Sequence, residues 1–163
     1  MVTETPPSPV NFTASMVVHF VTAVREVFST MLGTTVTVSS PHQKCTPAPT
    51  HDVSAIIGLS GQVIGSMVLS FNQSTAVNAS AAFSGTSIPA DHPDFPDAIG
   101  ELANMIAGAA KKHFGASASI SVPSIIMGSG HSVARLQNVP CIVIPCSTTF
   151  GDFAIEISVK ANL

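Results

Sequence analysis

The sequence predicts an α+β domain with a pseudo-two-fold plan, in which two long helices pack on one face of a mainly antiparallel sheet. The first observation is apolar periodicity at three and four residues, which occurs over residues 11–33 and again over 97–110. The second is that each periodic stretch is followed by three segments rich in β-branched and aliphatic residues. The predicted order is helix and three strands, a linking helix, then helix and three strands again.

The first half begins with a helix from Asn11 to Gly33, and Gly33 is a natural C-terminal stop. The stretch from Thr34 to Ser39 alternates as a short strand. The stretch from Ser40 to Thr50 is rich in Pro, His and Thr, which predicts a loop long enough to be mobile. The apolar positions of the helix are Val17, Phe20, Val21, Val24, Val27, Phe28 and Met31.

A hairpin and a linking helix complete the first half. The segments from Val53 to Leu59 and from Val63 to Phe71 are strand-like and flank the turn Ser60-Gly61-Gln62. The Ala-rich segment from Gln73 to Phe83 follows as a modest helix.

The second long helix follows the turn-rich stretch 84–96. We expect Asp94 or Phe95 at its cap, Pro96 in its first turn, and its end near Gly115. Asp97 then lies where a carboxylate favours the helix dipole. The strands predicted after this helix are Ala118 to Met127, Val139 to Pro145 and Phe153 to Lys160.

The two long helices also match in residues. The stretch from Ala23 to Gly33 aligns without a gap on the stretch from Ala98 to Gly108, which places Glu26 on Glu101. Short helices rich in Ala, Val and Gly resemble each other easily, so chance remains an alternative to a true repeat.

Composition places limits on the protein's class and partners. The chain of 163 residues is the length of one domain, and we expect a flexible tail over residues 1–9 and a single domain over 10–163. Only 9% of residues are charged and the formal net charge is −3, which argues against nucleic acid as a partner. No stretch approaches the roughly 18–20 uninterrupted apolar residues of a spanning helix, and no secretory signal is recognisable, so we expect a cytoplasmic protein without membrane insertion.

The cysteines and histidines have no metal-ligand spacing. Cys45, Cys141 and Cys146 are an odd number, and we expect buried thiols, with the last two on opposite faces of a strand. The six histidines are dispersed along the chain. We therefore expect neither a metal site nor a cofactor of the protein's own.

The helix over residues 97–108 carries the candidate site. Asp97, Glu101, Asn104 and Gly108 form a stripe on the face opposite the apolar positions. A Glu and an Asn one turn apart, beside helix-weakening glycines, are not what propensity selects for a plain solvated face, although exposed polar residues without a function remain the alternative. The opposite, core-facing positions are Ile99, Leu102, Ala103, Ile106 and Ala110.

The motif Asp97-x3-Glu101-x2-Asn104-x3-Gly108, together with the order of elements, resembles the CheC/CheX/FliY family of chemotaxis phosphatases, and the CheX branch most closely. The resemblance implies removal of the phosphoryl group from the aspartyl phosphate of a CheY-like response regulator. It implies that Glu101 and Asn104 are the catalytic positions, supported by Asp97 and Gly108. It also implies a homodimer, and Mg²⁺ held in the receiver's site rather than in this chain.

These residue types suit that reaction. The amide of Asn104 has a donor and an acceptor, so it could orient a water for attack on an acyl phosphate. Glu101 would pair with a lysine that the resemblance places in the receiver. Gly100, Ala107 and Gly108 are expected to keep the helix surface low, so that a partner can approach closely.

The equivalent stripe on the first helix lacks the amide, and we predict that this helix is not an active site. A non-catalytic receiver-binding module and a purely structural interaction domain remain as alternatives. The equivalent stripe consists of Thr22, Glu26, Ser29 and Gly33.

Overall fold

The computed structural model describes residues 9–44, 46–114 and 118–162. The helices are α1 (Pro9–Leu32), α2 (Gln73–Ser84) and α3 (Asp94–Lys111). The strands are β1 (Thr37–Val38), β2 (His42–Lys44), β3 (Val53–Gly61), β4 (Val63–Phe71), β5 (Ala118–Ile120), β6 (Ser124–Met127), β7 (Cys141–Thr148) and β8 (Gly151–Ala161).

The strands form one antiparallel sheet with a symmetric plan. Its order is β1-β7-β8-β4-β3-β5, with β2 also on β7 and β6 also on β3. The hairpin β3–β4 therefore lies beside the hairpin β7–β8, and each carries two short strands from the other half of the chain. At the centre, β4 pairs with β8 from Val63↔Ala161 to Phe71↔Phe153.

The two long helices cover one face of this sheet, which confirms the predicted fold class. Their apolar faces and the inward residues of the central strands form one buried cluster. Phe28 of α1 stacks on Phe153 of β8 with ring centroids 4.8 Å apart, and Phe71 of β4 packs against the same ring at 5.2 Å. These contacts fix α1 on the central strand pair.

The strand count per half differs from the prediction. Each half has four strands rather than three, because β2 lies inside the predicted loop over 40–50 and the predicted strand over 118–127 is broken. Ile56 pairs with Ser124 and Leu59 with Ile120, so two residues of β3 oppose three on the partner segment. Pro123 lies in this bulge, where its missing N–H breaks no ladder hydrogen bond.

The ends of several elements also shift. Pro9 already belongs to α1, so the helix begins before the predicted Asn11, and the other residues of the predicted tail lie outside the described residues. The strand predicted over 34–39 shortens to Thr37–Val38. Strand β7 runs to Thr148 and β8 starts at Gly151, so the predicted link over 146–152 is a tight turn.

A buried carboxylate organises the sheet face that points away from the helices. Glu156 of β8 is fully buried, and Thr50 donates to its Oε2 through the backbone N at 2.8 Å and Oγ1 at 3.1 Å. Its Oε1 lies 3.1 Å from Lys44 Nζ and 2.9 Å from Arg135 Nη2. One side chain thus ties both loops that cover this face, and the segment predicted as a mobile loop is anchored at Lys44 and Thr50.

Two buried serines, Ser54 and Ser70, also bind the loops that cover this face of the sheet. Ser70 Oγ accepts a hydrogen bond from His51 N at 2.8 Å. His131 Nδ1 lies 2.7 Å from the carbonyl oxygen of Gly128, which can only accept, so Nδ1 donates. In the neutral imidazole Nε2 then accepts from Ser54 Oγ at 2.8 Å. The outer face therefore combines a hydrogen-bonded polar network with the buried apolar side chains of Val68 and Val143, which lie opposite Glu156.

Removing the central carboxylate tests this arrangement. Glu156→Ala leaves Lys44 and Arg135, whose side chains are only 13% and 9% exposed, without a counter-charge. We expect the free energy of unfolding to fall by about 3–5 kcal/mol, the usual cost of breaking a buried ion pair. Urea unfolding at pH 7 measures it. Glu26→Ala, at an exposed site on α1, is the control and should change the stability by less than about 0.5 kcal/mol. A similar small loss for Glu156→Ala would contradict the anchoring role.

Candidate functional site

Helix α3 begins at Asp94, after Pro93 at the N-cap position. The prediction of Asp94 or Phe95 as the cap is wrong, because Pro93 makes no side-chain cap bond and Asp94 is already helical. His92 takes part of that role, since its Nδ1 accepts from Asp94 N at 3.1 Å. Asp94 and Asp97 lie in the first turn, where carboxylates interact favourably with the helix dipole. The helix ends at Lys111, and the predicted end at Gly115 lies outside the described residues.

The predicted stripe is on the surface of α3. Asp97 and Glu101 are exposed, while Asn104 and Gly108 are half-buried. Glu101 and Asn104 are three residues apart, so their Cβ atoms are neighbours at roughly 5–6 Å on the helix surface. The core-facing positions predicted from periodicity are all fully buried, and they are Ile99, Leu102, Ala103, Ile106 and Ala110.

The polar side chains of the stripe are not used in intramolecular contacts between the described residues. Within the described part of the chain, the side chains of Asp97, Glu101 and Asn104 make no hydrogen bond or ion pair. The buried carboxylate of Glu156, by contrast, satisfies four donors. A carboxylate and an amide one turn apart, both without a partner, can therefore engage an external group that offers donors and acceptors.

A segment of the sheet edge flanks the stripe. Gly100 is buried against it, and a Cβ atom there would lie 3.2 Å from Pro123 Cγ and 3.4 Å from Ile125 Cδ1. The prediction that Gly100 and Ala107 keep the surface low for a partner is wrong, because Ala107 is also fully buried. Gly100 instead lets the segment over 121–127 pack closely beside α3. Gly108, the third of these positions, does have open space where a side chain would project.

Comparison with known proteins places these observations in a family. The family model described as "Chemotaxis phosphatase CheX" matches residues 53–147. The CheY-P phosphatase CheX of Thermotoga maritima is 30% identical over 117 residues, which cover 69% of this chain and 74% of that protein. This chain belongs to the CheX family.

Solved structures of the CheX family have the same fold. CheX from Desulfovibrio desulfuricans has a TM-score of 0.80 at 34% identity, covering 89% of this chain and 99% of that one. CheX from Borrelia burgdorferi, solved in a complex with CheY, BeF3 and Mg²⁺, has a TM-score of 0.71 at 21% identity, covering 89% of this chain and 97% of that one. At that identity the second likeness supports the fold alone. The range matched by the CheX family model includes all of α3 and the flanking segment over 121–127.

The stripe on α1 that the sequence alignment makes equivalent is also on the surface. Thr22, Glu26 and Ser29 are exposed, and Gly33 follows the helix end with a φ of 64°. A serine hydroxyl stands where α3 has the amide of Asn104. The absence of activity at α1 stays a prediction.

The histidines and cysteines are not members of the stripe. His19 stacks on His113 at 5.1 Å, where burial and then the neighbouring imidazole lower the pKa of His19. Cys141 and Cys146 are buried and free, and burial raises the pKa of Cys146 to about 12. Cys45 lies outside the described residues. In the described ranges no three His, Cys, Asp or Glu residues cluster as metal ligands do.

The shape of the site suits a macromolecule. Two cavities of about 560 and 700 Å³ lie at the opposite end of the sheet, around Lys44 and Arg135 and beside Phe12 and Ile142, and neither includes a residue of α3. Sites for small molecules are concave, whereas this stripe is a helix surface. A group that contacts Glu101 and Asn104 would therefore meet a convex helix surface.

Helix α1 is apolar enough to resemble a membrane span. Among the described residues, the segment Phe12–Leu32 is long and apolar enough to cross a membrane, by length and composition alone. A helix that contributes to the core of a soluble protein can have the same length and composition. In α1 the side chains of Phe20, Val24 and Phe28 are fully buried, as they are in such a core helix.

Two glycine substitutions test the packing beside the stripe. Gly108→Ala adds a Cβ in open space and should raise the free energy of unfolding by about 1 kcal/mol through helix propensity. Gly100→Ala gains the same propensity but crowds Pro123, so its net effect should be less favourable by about 1 kcal/mol or more. Urea unfolding of both variants measures the difference. Equal gains would show that the segment over 121–127 is not tightly packed on α3.

Proposed function

We propose that this protein hydrolyses the aspartyl phosphate of a CheY-like response regulator. The observation that carries the proposal is the unpartnered pair of Glu101 and Asn104, one turn apart on the exposed stripe of a CheX-family helix. The Thermotoga maritima relative, 30% identical, is a CheY-P phosphatase, which favours catalysis over a purely structural role.

Asn104 would position the attacking water. An acyl phosphate is already reactive, so acceleration requires chiefly a water held in line with the leaving carboxylate. The amide oxygen can accept a hydrogen bond from that water while the amide N–H₂ donates a hydrogen bond to a phosphoryl oxygen. A serine is too short to do both, which is why we predict no activity from Ser29 on α1.

Glu101 would hold the receiver in register. Its carboxylate, exposed and without a partner, can form a charge-assisted pair with a lysine beside the aspartyl phosphate. Asp97 adds negative charge one turn earlier on the same stripe, and Gly108 leaves room one turn later. Mg²⁺ would belong to the receiver, because one carboxylate and one amide are a poor ligand set for a tight site.

The remaining expectations are part of this proposal. We infer a single domain over residues 10–163 that works in the cytoplasm, without membrane insertion. We also infer a homodimer, formed by pairing of sheet edges, for which the 9% of charged residues is independent support.

The decay of a phosphorylated receiver tests the proposed activity. The receiver is phosphorylated with a small-molecule donor, and its phosphoryl group is followed with and without this protein in Mg²⁺ buffer. We expect acceleration by the wild type and a loss on the order of 100-fold for Asn104→Ala, the usual scale for removing one positioned polar group. Asn104→Asp keeps the size but lacks the amide donor, and it should fail similarly.

Two further variants separate the roles. Glu101→Ala should raise KM for the receiver more than it lowers kcat, and the opposite pattern would contradict a docking role. Ser29→Ala on α1 is the matched control and should leave the rate unchanged. If the wild type accelerates no receiver from its own organism, the proposed activity is wrong. If acceleration survives Asn104→Ala, only the water-positioning role is wrong.

A further inference from the structure

Val122 is the most exposed large hydrophobic residue of the described chain, at 85%. Single exposed hydrophobic residues are common on protein surfaces and need no explanation by themselves. Val122 differs because its backbone is fixed on both sides and because it borders the stripe on α3.

The backbone on the N-terminal side is held by a double hydrogen bond to β3. Ser121 N donates to the Gly58 carbonyl at 2.9 Å, and Gly58 N donates to Ser121 Oγ at 2.8 Å. Ser121 Oγ in turn donates to the Val122 carbonyl at 3.0 Å. Val122 is therefore presented by a rigid bulge, and little conformational entropy is lost when it is contacted.

The C-terminal side is held against the catalytic helix. Pro123 packs at Gly100, and Ser124 returns to the sheet opposite Ile56. On a helix surface Gly100 neighbours Asp97 and Asn104, which are three residues before it and four after it. The ring of Pro123 thus lies beside the stripe, and Val122 precedes it at the same edge.

We propose that Val122 is an apolar anchor of the surface that docks the phosphorylated receiver. This inference rests on the proposed function. A specific protein interface buries roughly 800 Å² on each partner, which is a patch about 30 Å across. A receiver whose phosphoryl group reaches Asn104 must therefore also cover the neighbouring bulge.

The composition of the stripe explains why an apolar anchor is needed. Asp97, Glu101 and Asn104 supply charge and hydrogen bonds, which fix orientation more than they supply affinity. Apolar surface that becomes buried in the partner adds affinity to such an interface. Val122 is apolar and exposed, and we expect it to fill a shallow apolar depression next to the receiver's phosphorylation site.

Receiver kinetics with matched variants test the anchor. Val122→Asp should raise KM for the phosphorylated receiver about tenfold and leave kcat within about twofold, since the variant loses docking but not Asn104. Val122→Ile keeps an apolar anchor and should behave as the wild type. Val18→Asp is the control, because Val18 is 61% exposed on α1. The stack of His19 on His113 places Val18 beyond the C-terminal end of α3, whose last residue, Lys111, lies roughly 15 Å along the helix from Glu101.

The outcomes separate this inference from the proposed activity. A wild type that accelerates no receiver overturns the activity, whereas equal KM values for the Val122→Asp and Val18→Asp variants overturn the anchor alone. Methyl NMR on the wild type is a second measurement that needs no turnover. The Val122 methyl signals should shift when the activated receiver is added, and those of Val18 should not. A Val122 signal that shifts with protein concentration before any receiver is added would assign the surface to a second copy of this chain and overturn the anchor.

Discussion

The antiparallel pairing of β4 with β8 is the contact on which the rest of the molecule depends. It runs without interruption from Val63↔Ala161 to Phe71↔Phe153 and joins the two halves of the chain. Its inner face carries Phe71 and Phe153, against which α1 packs, and its outer face carries Glu156, to which both covering loops are tied. Helix α3 lies beside α1 on the inner face, so the position of the site follows from this central pair.

The sequence predicts the helices, the hairpins and the site because each depends on local pattern. Periodicity alone separates the buried face of α3 from the stripe with Glu101 and Asn104. The burial of the outer sheet face does not follow from local pattern. Alternation along β8 marks Glu156 as pointing away from the helices, and an outward Glu normally meets water. Its burial depends on loops carrying Lys44 and Arg135, which are far away in sequence.

The misread details near the site have the same cause. Gly100 resembles a residue that lowers a helix surface, and only the three-dimensional packing of Pro123 shows that the space is filled. Pro123 does indicate the bulge from sequence, since a proline within a predicted strand is typical of an edge or a bulge. The short strand β2 consists of three polar residues, of which His42 and Gln43 are exposed, so neither alternation nor hydrophobicity marks it.

The exchange of edge strands between the halves has a consequence for how the protein is made. Strands β1 and β2 lie on β7, and β5 and β6 lie on β3, so neither half can complete its own edge. While the ribosome is still producing the second half, the emerged first half has a helix and a hairpin but lacks the strand that covers its central edge. Long-range strand pairing is slow, and unpaired edges attract other chains. Folding must therefore wait for the last strand, β8, and the nascent chain is most vulnerable to aggregation until β8 has left the ribosome.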